Sequence, residues 1–329
     1  IEVHDTQVET AFPGQRVALN LSGITKQDVE RGDCITEESL SETTSRVDAL
    51  LKITDTCERV IENWTRVRFY FGTSEVFGRA LLLSEAEGLF PGDTGFVQFR
   101  FENPIFVFRG DRFIIRDFSN QETLGGGIIL NPFPPHHKRL SEETIQKLNN
   151  WVSPSDTDLV RLVTENRSTM TAVNETSLKY YLPYSGEKQE ELLKKMESEG
   201  IIIRYISGDN RLITSVERIR LMKKNIIDEL SKFHKEHPLA EGENYSRLRS
   251  IINTDEITFE LLLQELIRDG KLSRTSNYIK LSDFETVFTG KFIKIGEEIE
   301  KVFIERGFSP PNEAEIMAIL NSYNRNEIR

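Results

Sequence analysis

Arg66-Val-Arg-Phe-Tyr-Phe71 decides how the first third of the chain folds. Polar or long side chains alternate with valine and phenylalanine, the period-two spacing of a strand with one buried face. Working outward, Phe96-Val-Gln-Phe-Arg-Phe101 nearly repeats the pattern, and Ile105-Phe-Val-Phe108 and Phe113-Ile-Ile115 are short β-rich runs. Turn signals stand between them: Pro13-Gly14, Pro91-Gly92-Asp93, Arg109-Gly110-Asp111 and the triple glycine Gly125-Gly126-Gly127. Short strands so punctuated predict small antiparallel β-barrels over residues 1–135. The polar stretch from Glu37 to Ser45 reads as a loop joining two barrels. Asn131-Pro-Phe-Pro-Pro-His-His137 follows, where prolines impose extended backbone and end any regular element, so it reads as the linker of the chain.

From Leu140 the period becomes helical. Ile219, Met222, Ile226, Leu230 and Phe233 recur at three- and four-residue steps, as do Phe259, Leu262, Leu263, Leu266 and Ile267, and then Ile295, Ile299, Val302 and Phe303. The order of elements repeats. Helices are expected near Asp158–Glu165, Val173–Leu182 and Glu187–Glu199, closed by a strand–turn–strand from Ile201 to Ile213. A second set is expected near Lys223–His234, Tyr245–Ile252 and Phe259–Arg268, closed by Lys271–Ser273 and Tyr278–Leu281. Three helices and a hairpin wing are the winged-helix plan. A third unit begins at Pro310-Pro-Asn-Glu-Ala-Glu, a helix start by its prolines and acidic first turn. The fold class is therefore mixed and multidomain: antiparallel β-barrels, then α+β tandem winged helices. The expected boundaries are 1–45 for the end of one barrel and a linker, 46–135 for a second barrel, 136–214 and 215–285 for two winged helices, and 286–329 for the start of a third. Both ends read as cut, the first inside a strand-like run without an initiator Met.

Composition restricts function. The 329 residues carry 38% hydrophobic and 29% charged side chains, which suits globular domains rather than disorder. A net charge of −11 argues against indiscriminate nucleic-acid binding while leaving room for a local basic patch. Cys34 and Cys57 have no metal or redox spacing and read as free thiols. No run of about 18 apolar residues occurs, so no membrane span is expected. No nucleophile–base pair, metal spacing or nucleotide loop marks an independent enzyme.

Specific strings point further. Arg68-Phe-Tyr-Phe-Gly-Thr-Ser-Glu-Val-Phe-Gly78, Arg112-Phe-Ile-Ile-Arg116 and Thr123-Leu-Gly-Gly-Gly127 resemble the third domain of elongation factors that carry aminoacyl-tRNA. Pro13-Gly-Gln-Arg-Val-Ala-Leu-Asn-Leu21 and Asp28-Val-Glu-Arg-Gly-Asp33 resemble the end of the second domain. Gly72-Thr-Ser-Glu75, Val97-Gln98, Gly110-Asp-Arg-Phe113 and His137-Lys-Arg139 are most similar to the selenocysteine-specific branch. Phe233-His-Lys-Glu-His-Pro-Leu239 through Tyr245-Ser-Arg-Leu-Arg249 resembles a winged helix of that factor's tail. The resemblance implies a cytoplasmic, monomeric factor that delivers selenocysteinyl-tRNA to a ribosome reading UGA. It also implies a tail that recognises a messenger-RNA hairpin, mainly through a last winged helix beyond Arg329. GTP and Mg would belong to the complete factor. No G-x-x-x-x-G-K-[ST] string occurs in residues 1–329, so no GTP chemistry and no cofactor are expected in them.

The same resemblance nominates residues. Asp28, where the family usually has Glu, would face the terminal adenosine of tRNA with Arg31 orienting it; the alternative is that both hold a turn. Arg68, Phe77 and Asn103 fall where relatives touch tRNA backbone. Phe77 cannot donate a hydrogen bond, so Arg79 is the substitute donor and Phe77 a packing residue. Arg112 and Arg116 share a strand face near Arg109, with Asp111 and Asp117 close enough to neutralise them. Lys138 and Arg139 at the linker, Lys223-Lys224, Arg247, Arg249 and the wing residue Arg274 are further RNA-facing candidates. Nearby acids make both winged helices read as spacers. A DNA-binding regulator and a protein–protein adaptor remain as alternatives; the acid-rich Glu187–Glu199 argues against the former.

Overall fold

The computed structural model describes residues 1–84, 87–119, 122–165, 172–208, 210–285 and 290–320. They form two compact units, one of Ile1–Ser168 and Val173–Ile213, the other of the remainder.

In the first unit, β1 (Glu2–Val3), β2 (Thr6–Gln7) and β3 (Val17–Ala18) make a small antiparallel sheet in the order β2-β1-β3. Six strands then close a barrel: β4 (Thr44–Ile53), β5 (Thr65–Phe71), β6 (Ser74–Leu82), β7 (Thr94–Ile105), β8 (Arg112–Asp117) and β9 (Thr123–Asn131), in the order β4-β7-β6-β5-β8-β9. Alternation fixes the inside. Val67, Phe69, Phe99, Phe101, Phe113 and Ile115 point into one core, where the Phe69 ring stacks on Phe113 at 4.6 Å and meets Phe99 edge-on at 4.9 Å. Residues 106–108, expected as strand, lie beyond the end of β7 without regular structure, and the turn follows at Arg109–Gly110.

The triple glycine is not a turn. Gly125, Gly126 and Gly127 lie within β9, between β4 and β8. A Cβ on Gly127 would come within 1.9 Å of the Leu50 carbonyl oxygen, and one on Gly125 within 2.4 Å of that of Lys52. Glycine is required by close approach of neighbouring backbone, its second use in strands.

The outer face of the barrel is graded. Leu50 pairs with Phe96 across strands, and together with Leu81, Leu83, Ile128 and Leu130 they form an apolar strip. The first winged helix covers it. That module comprises α1 (Glu142–Val152), α2 (Asp156–Glu165), β10 (Val173–Asn174), α3 (Glu187–Ser198), β11 (Ile202–Ser207) and β12 (Asn210–Ser215). Leu148, Trp151, Leu159 and Tyr180 join the strip in one apolar cluster. Tyr180 Oη accepts from the Glu42 backbone N–H at 2.8 Å, and Arg109 Nη2 donates to the Trp151 carbonyl at 3.1 Å. Two differences from expectation stand out. Helix α1 was not foreseen, because its face carries only Ile145, Leu148, Trp151 and Val152 among polar residues. Val173–Leu182 is a short strand and a 3₁₀ turn over Glu175–Tyr180, not an α-helix, because Asn174 caps it immediately after pairing with β12. Asp209 of the first wing tip lies outside the described residues.

The linker is extended, as its prolines require, yet it is held. His137 Nε2 lies 2.6 Å from Asp48 Oδ2, and Gln98 Nε2 donates to Asp48 Oδ1 and to the Pro135 carbonyl, each at 2.9 Å. Asp48 is buried, and desolvation raises its carboxyl above the ordinary range while the hydrogen bond from His137 opposes that.

The second unit holds α4 (Val216–Glu236), β13 (Glu243–Asn244), α5 (Tyr245–Ile252), α6 (Glu256–Arg268), β14 (Leu272–Thr275), β15 (Tyr278–Leu281), α7 (Lys291–Arg306) and α8 (Glu313–Ile319). Its sheet order, β13-β15-β14, matches β10-β12-β11 of the first winged helix, so the repeat of elements is a repeat of topology. Asn244 and Asp255 cap α5 and α6, and Asn253 ends α5 in the left-handed region at φ 56°. The expected helix start after Pro310 is α8, with Asn312 and Glu315 forming a capping box; residues 321–329 of the expected third module lie outside the described residues.

His234 on α4 is buried edge-on against Phe284 at 3.7 Å, and neither ring nitrogen has a hydrogen bond among the described residues. Desolvation lowers its pKa; Asp283 opposes this and Lys280 adds to it. A depressed folded-state pKa stabilises above the unfolded value of about 6.5 and is lost as pH falls below it. Melting of this unit should therefore drop between pH 7.5 and 5.5. The drop should shrink in His234→Leu, and an identical pH dependence in both proteins would refute the assignment.

Candidate nucleic-acid interface

Beside the apolar strip, one row further along the strands, the outer face turns basic. Antiparallel register puts Arg66 opposite Arg79, Arg79 opposite Arg100 and Arg100 opposite Arg46; one step along β5, Arg68 lies opposite Arg116. The six arginines form a staircase across β8, β5, β6, β7 and β4. Like charges directly opposite one another in a sheet destabilise it. Yet Arg46, Arg79, Arg100 and Arg116 have no ion pair among the described residues.

Aromatic rings organise this band. Arg66 lies over the Phe118 ring at 3.9 Å and Arg68 over Phe77 at 5.1 Å, with Phe77 against Phe118 at 5.4 Å. Phe77 is thus packing, as expected, and serves as a platform for two guanidinium groups. Arg68 also donates to the Phe118 carbonyl at 3.1 Å and to Glu75 at 2.7 Å. Arg116 lies over Tyr70, and Arg100 over Trp64. Arg66 pairs with Glu102 at 2.7 Å. Asn103 is exposed on β7, close in sequence to this end.

The neutralisation expected of Asp111 and Asp117 does not occur. Adjacent strand residues face opposite ways, so Asp117 is buried and pairs with Arg59, while Arg116 faces out. Asp111 accepts from the Phe108 backbone N–H at 2.9 Å. Exposed Arg112 lies on the outward side of β8.

Other nominated residues lie elsewhere. Asp28 accepts from the Thr25 backbone N–H at 2.8 Å and from its hydroxyl at 2.6 Å, which hold its carboxyl below the ordinary range. The hydrogen bond from Arg68 above all, with Arg31 as the smallest contributor, holds the Glu75 carboxyl below the ordinary range. Arg139 donates to the Leu82 carbonyl at 3.2 Å, and Lys138 is exposed. In the second winged helix the three arginines named each have an acidic partner, Arg247 with Glu243, Arg249 with Glu256 and Arg274 with Glu260, and Lys223 pairs with Glu265. Sequence reasoning missed Arg46, Arg66 and Arg100. Arg66 and Arg100 stand in the alternating runs themselves, but only the register shows that they meet.

The described residues thus combine a closed barrel bearing a basic outer band with winged-helix modules. Residues 45–136 match the family model described as "Selenocysteine-specific elongation factor, beta-barrel domain", and residues 227–281 match "Elongation factor SelB, winged helix". The barrel and second winged helix are therefore similar to modules of the selenocysteine-specific elongation factors. The chain is 26% identical over 307 residues to the selenocysteine-specific elongation factor of Escherichia coli (strain K12), covering 92% of this chain and 46% of that protein. It is 22% identical to the one from Desulfomicrobium baculatum, covering 94% and 49%. The chain thus spans about half the length of these relatives. A crystal structure of bacterial selenocysteine-specific elongation factor EF-Sec shares the fold, with a TM-score of 0.61, 19% identity, and coverage of 99% of this chain and 48% of that one. Among the described residues no group of acids, histidines and cysteines could hold a metal, and no helix is long and apolar enough to cross a membrane.

Proposed function

We propose that this chain acts as the RNA-handling body of a selenocysteine-specific elongation factor. In this reading the barrel holds selenocysteinyl-tRNA for delivery to a ribosome at UGA in the cytoplasm, and the winged helices lead toward a messenger-RNA hairpin. The observation that carries it is the arginine staircase on a chain of net charge −11. Guanidinium forks suit phosphate and set register without reading sequence. Arg68 and Arg116 are the central phosphate contacts, with Arg79 and Asn103 beside them. Arg112 flanks this face, and Asp28 with Arg31 lies on the approach from the amino-terminal segment. GTP chemistry is placed in none of these residues, because no phosphate-loop string occurs among them.

The paired charges of Arg247, Arg249 and Arg274 favour a spacer role for the second winged helix over direct RNA reading. Lys138 and Arg139 remain secondary candidates at the linker.

Arg68→Glu tests the reading. It places two carboxylates together at the Glu75 end and removes one guanidinium. Binding of a selenocysteine tRNA transcript should weaken, and the slope of log affinity against log salt should fall by about 1. Unchanged affinity at low salt would remove Arg68 from the interface.

A further inference from the structure

We infer that Arg46 and Arg100, oriented by Trp64, form a second RNA phosphate site at the far end of the staircase, beyond the Arg68 face. The inference rests on the barrel being an RNA-binding body and adds a site to it.

Four observations meet there. First, Arg100 is half-buried, its guanidinium lies 5.0 Å from the centre of the Trp64 ring, and its Nε has no hydrogen-bond partner. A guanidinium stacked on an indole is fixed in orientation, and an unsatisfied buried donor is costly without an acceptor. Second, the backbone is unusual on both sides. Trp64 has φ 68°, a left-handed conformation that bulky residues rarely adopt, and the residue is 40% exposed. The register of β4 shifts between Thr44 and Arg46, a bulge of the kind that re-aims a side chain. Strain of this sort collects at binding sites.

Third, Arg46 and Arg100 have no ion pair among the described residues, and the buried Asp48 carboxyl acts on Arg46 only through space. Glu102 is engaged by Arg66 at the other end of the row. Asp48, the next outward residue on β4, is buried under His137 and Gln98. Exposed His136 reports the field: Arg46 above all, then lost hydration and Arg100, hold its imidazole below the ordinary range. Fourth, the row Arg66, Arg79, Arg100, Arg46 crosses three interstrand gaps, roughly 14 Å measured along the curved wall of the barrel, with Arg100 and Arg46 as neighbours on it. Such spacing suits successive contacts along a nucleic-acid backbone better than one small anion. Trp64 acts through Arg100 and is a positioning residue; its carbonyl also accepts from Arg79 at 3.4 Å.

The test uses the whole chain and a selenocysteine tRNA transcript, with affinity measured across a salt series. Arg46→Gln and Arg100→Gln should each weaken binding about three- to tenfold and lower the salt slope by about 1. Arg100→Lys should keep the slope while losing affinity, because the charge stays and the stacked fork is lost. Trp64→Leu should do the same, a split that a merely structural role would not produce. In the unsubstituted chain the His136 ring resonance should shift on adding tRNA, a readout independent of whether any variant folds. Wild-type affinity and slope in both glutamine variants, or an unmoved His136 signal at saturating tRNA, would overturn the site. If Arg68→Gln is silent as well, the RNA-binding reading of the barrel fails with it; if Arg68→Gln alone is impaired, only the second site fails.

Discussion

Gly127→Ala should melt the barrel roughly 10 °C or more below the unsubstituted chain, the largest loss expected from any single methyl group here. The added Cβ would need to occupy a point 1.9 Å from the Leu50 carbonyl oxygen and 3.1 Å from the tip of the Phe113 ring. The obstacle on one side is backbone, so no rotamer change relieves it. Strands β4 and β9 must separate, and with them the pairs Leu50–Ile128 and Leu51–Gly127. Opening one seam of a closed barrel exposes two edges at once. Gly296 provides the contrast. It lies in α7, where a Cβ would meet nothing within 4 Å, and Gly296→Ala should stabilise by up to about 1 kcal/mol. Urea and thermal unfolding would decide, and a near-neutral Gly127→Ala would show that β4 and β9 are less tightly joined than the register implies.

The second large effect is at His137. Removing its ring leaves Asp48 buried with one side-chain donor, Gln98, and with Arg46 acting on it only through space. Breaking one side of a buried pair costs on the order of 3–5 kcal/mol, mostly the desolvation of the charge left behind. His137→Ala should lose stability of that order in urea unfolding. Adding Asp48→Asn should restore part of it, since an amide carries no charge to strand. A loss under about 0.5 kcal/mol in the single variant, the range of ordinary surface substitutions, would mean that the pair contributes little.

Much of this was legible in the sequence because period and punctuation are local. Arg66–Phe71 and Phe96–Phe101 announced strands, Tyr245–Ile252 a helix, and the wings their hairpins. What stayed hidden depends on neighbours distant in the chain. Triple glycine usually means a turn, and only the closeness of Leu50 and Lys52 makes it a strand. Helix α1 is too sparsely apolar to declare itself until the barrel strip covers Leu148 and Trp151. The interface was half visible for the same reason. Arg68, Arg79 and Arg116 could be nominated singly, but their alignment with Arg46, Arg66 and Arg100 is a property of register.

The apolar strip shared by barrel and first winged helix changes where this polypeptide can be divided. Prolines at 132, 134 and 135 invite a cut there, yet a barrel ending at that point would present Leu81, Leu83, Phe96 and Leu130 to water as an adhesive face. The partner module, freed of the barrel, would bare Trp151 and Tyr180. Both halves would be prone to clump during expression. A terminus placed after β12, at Ser215, leaves that seam closed and is the natural place for anyone dissecting the molecule to begin.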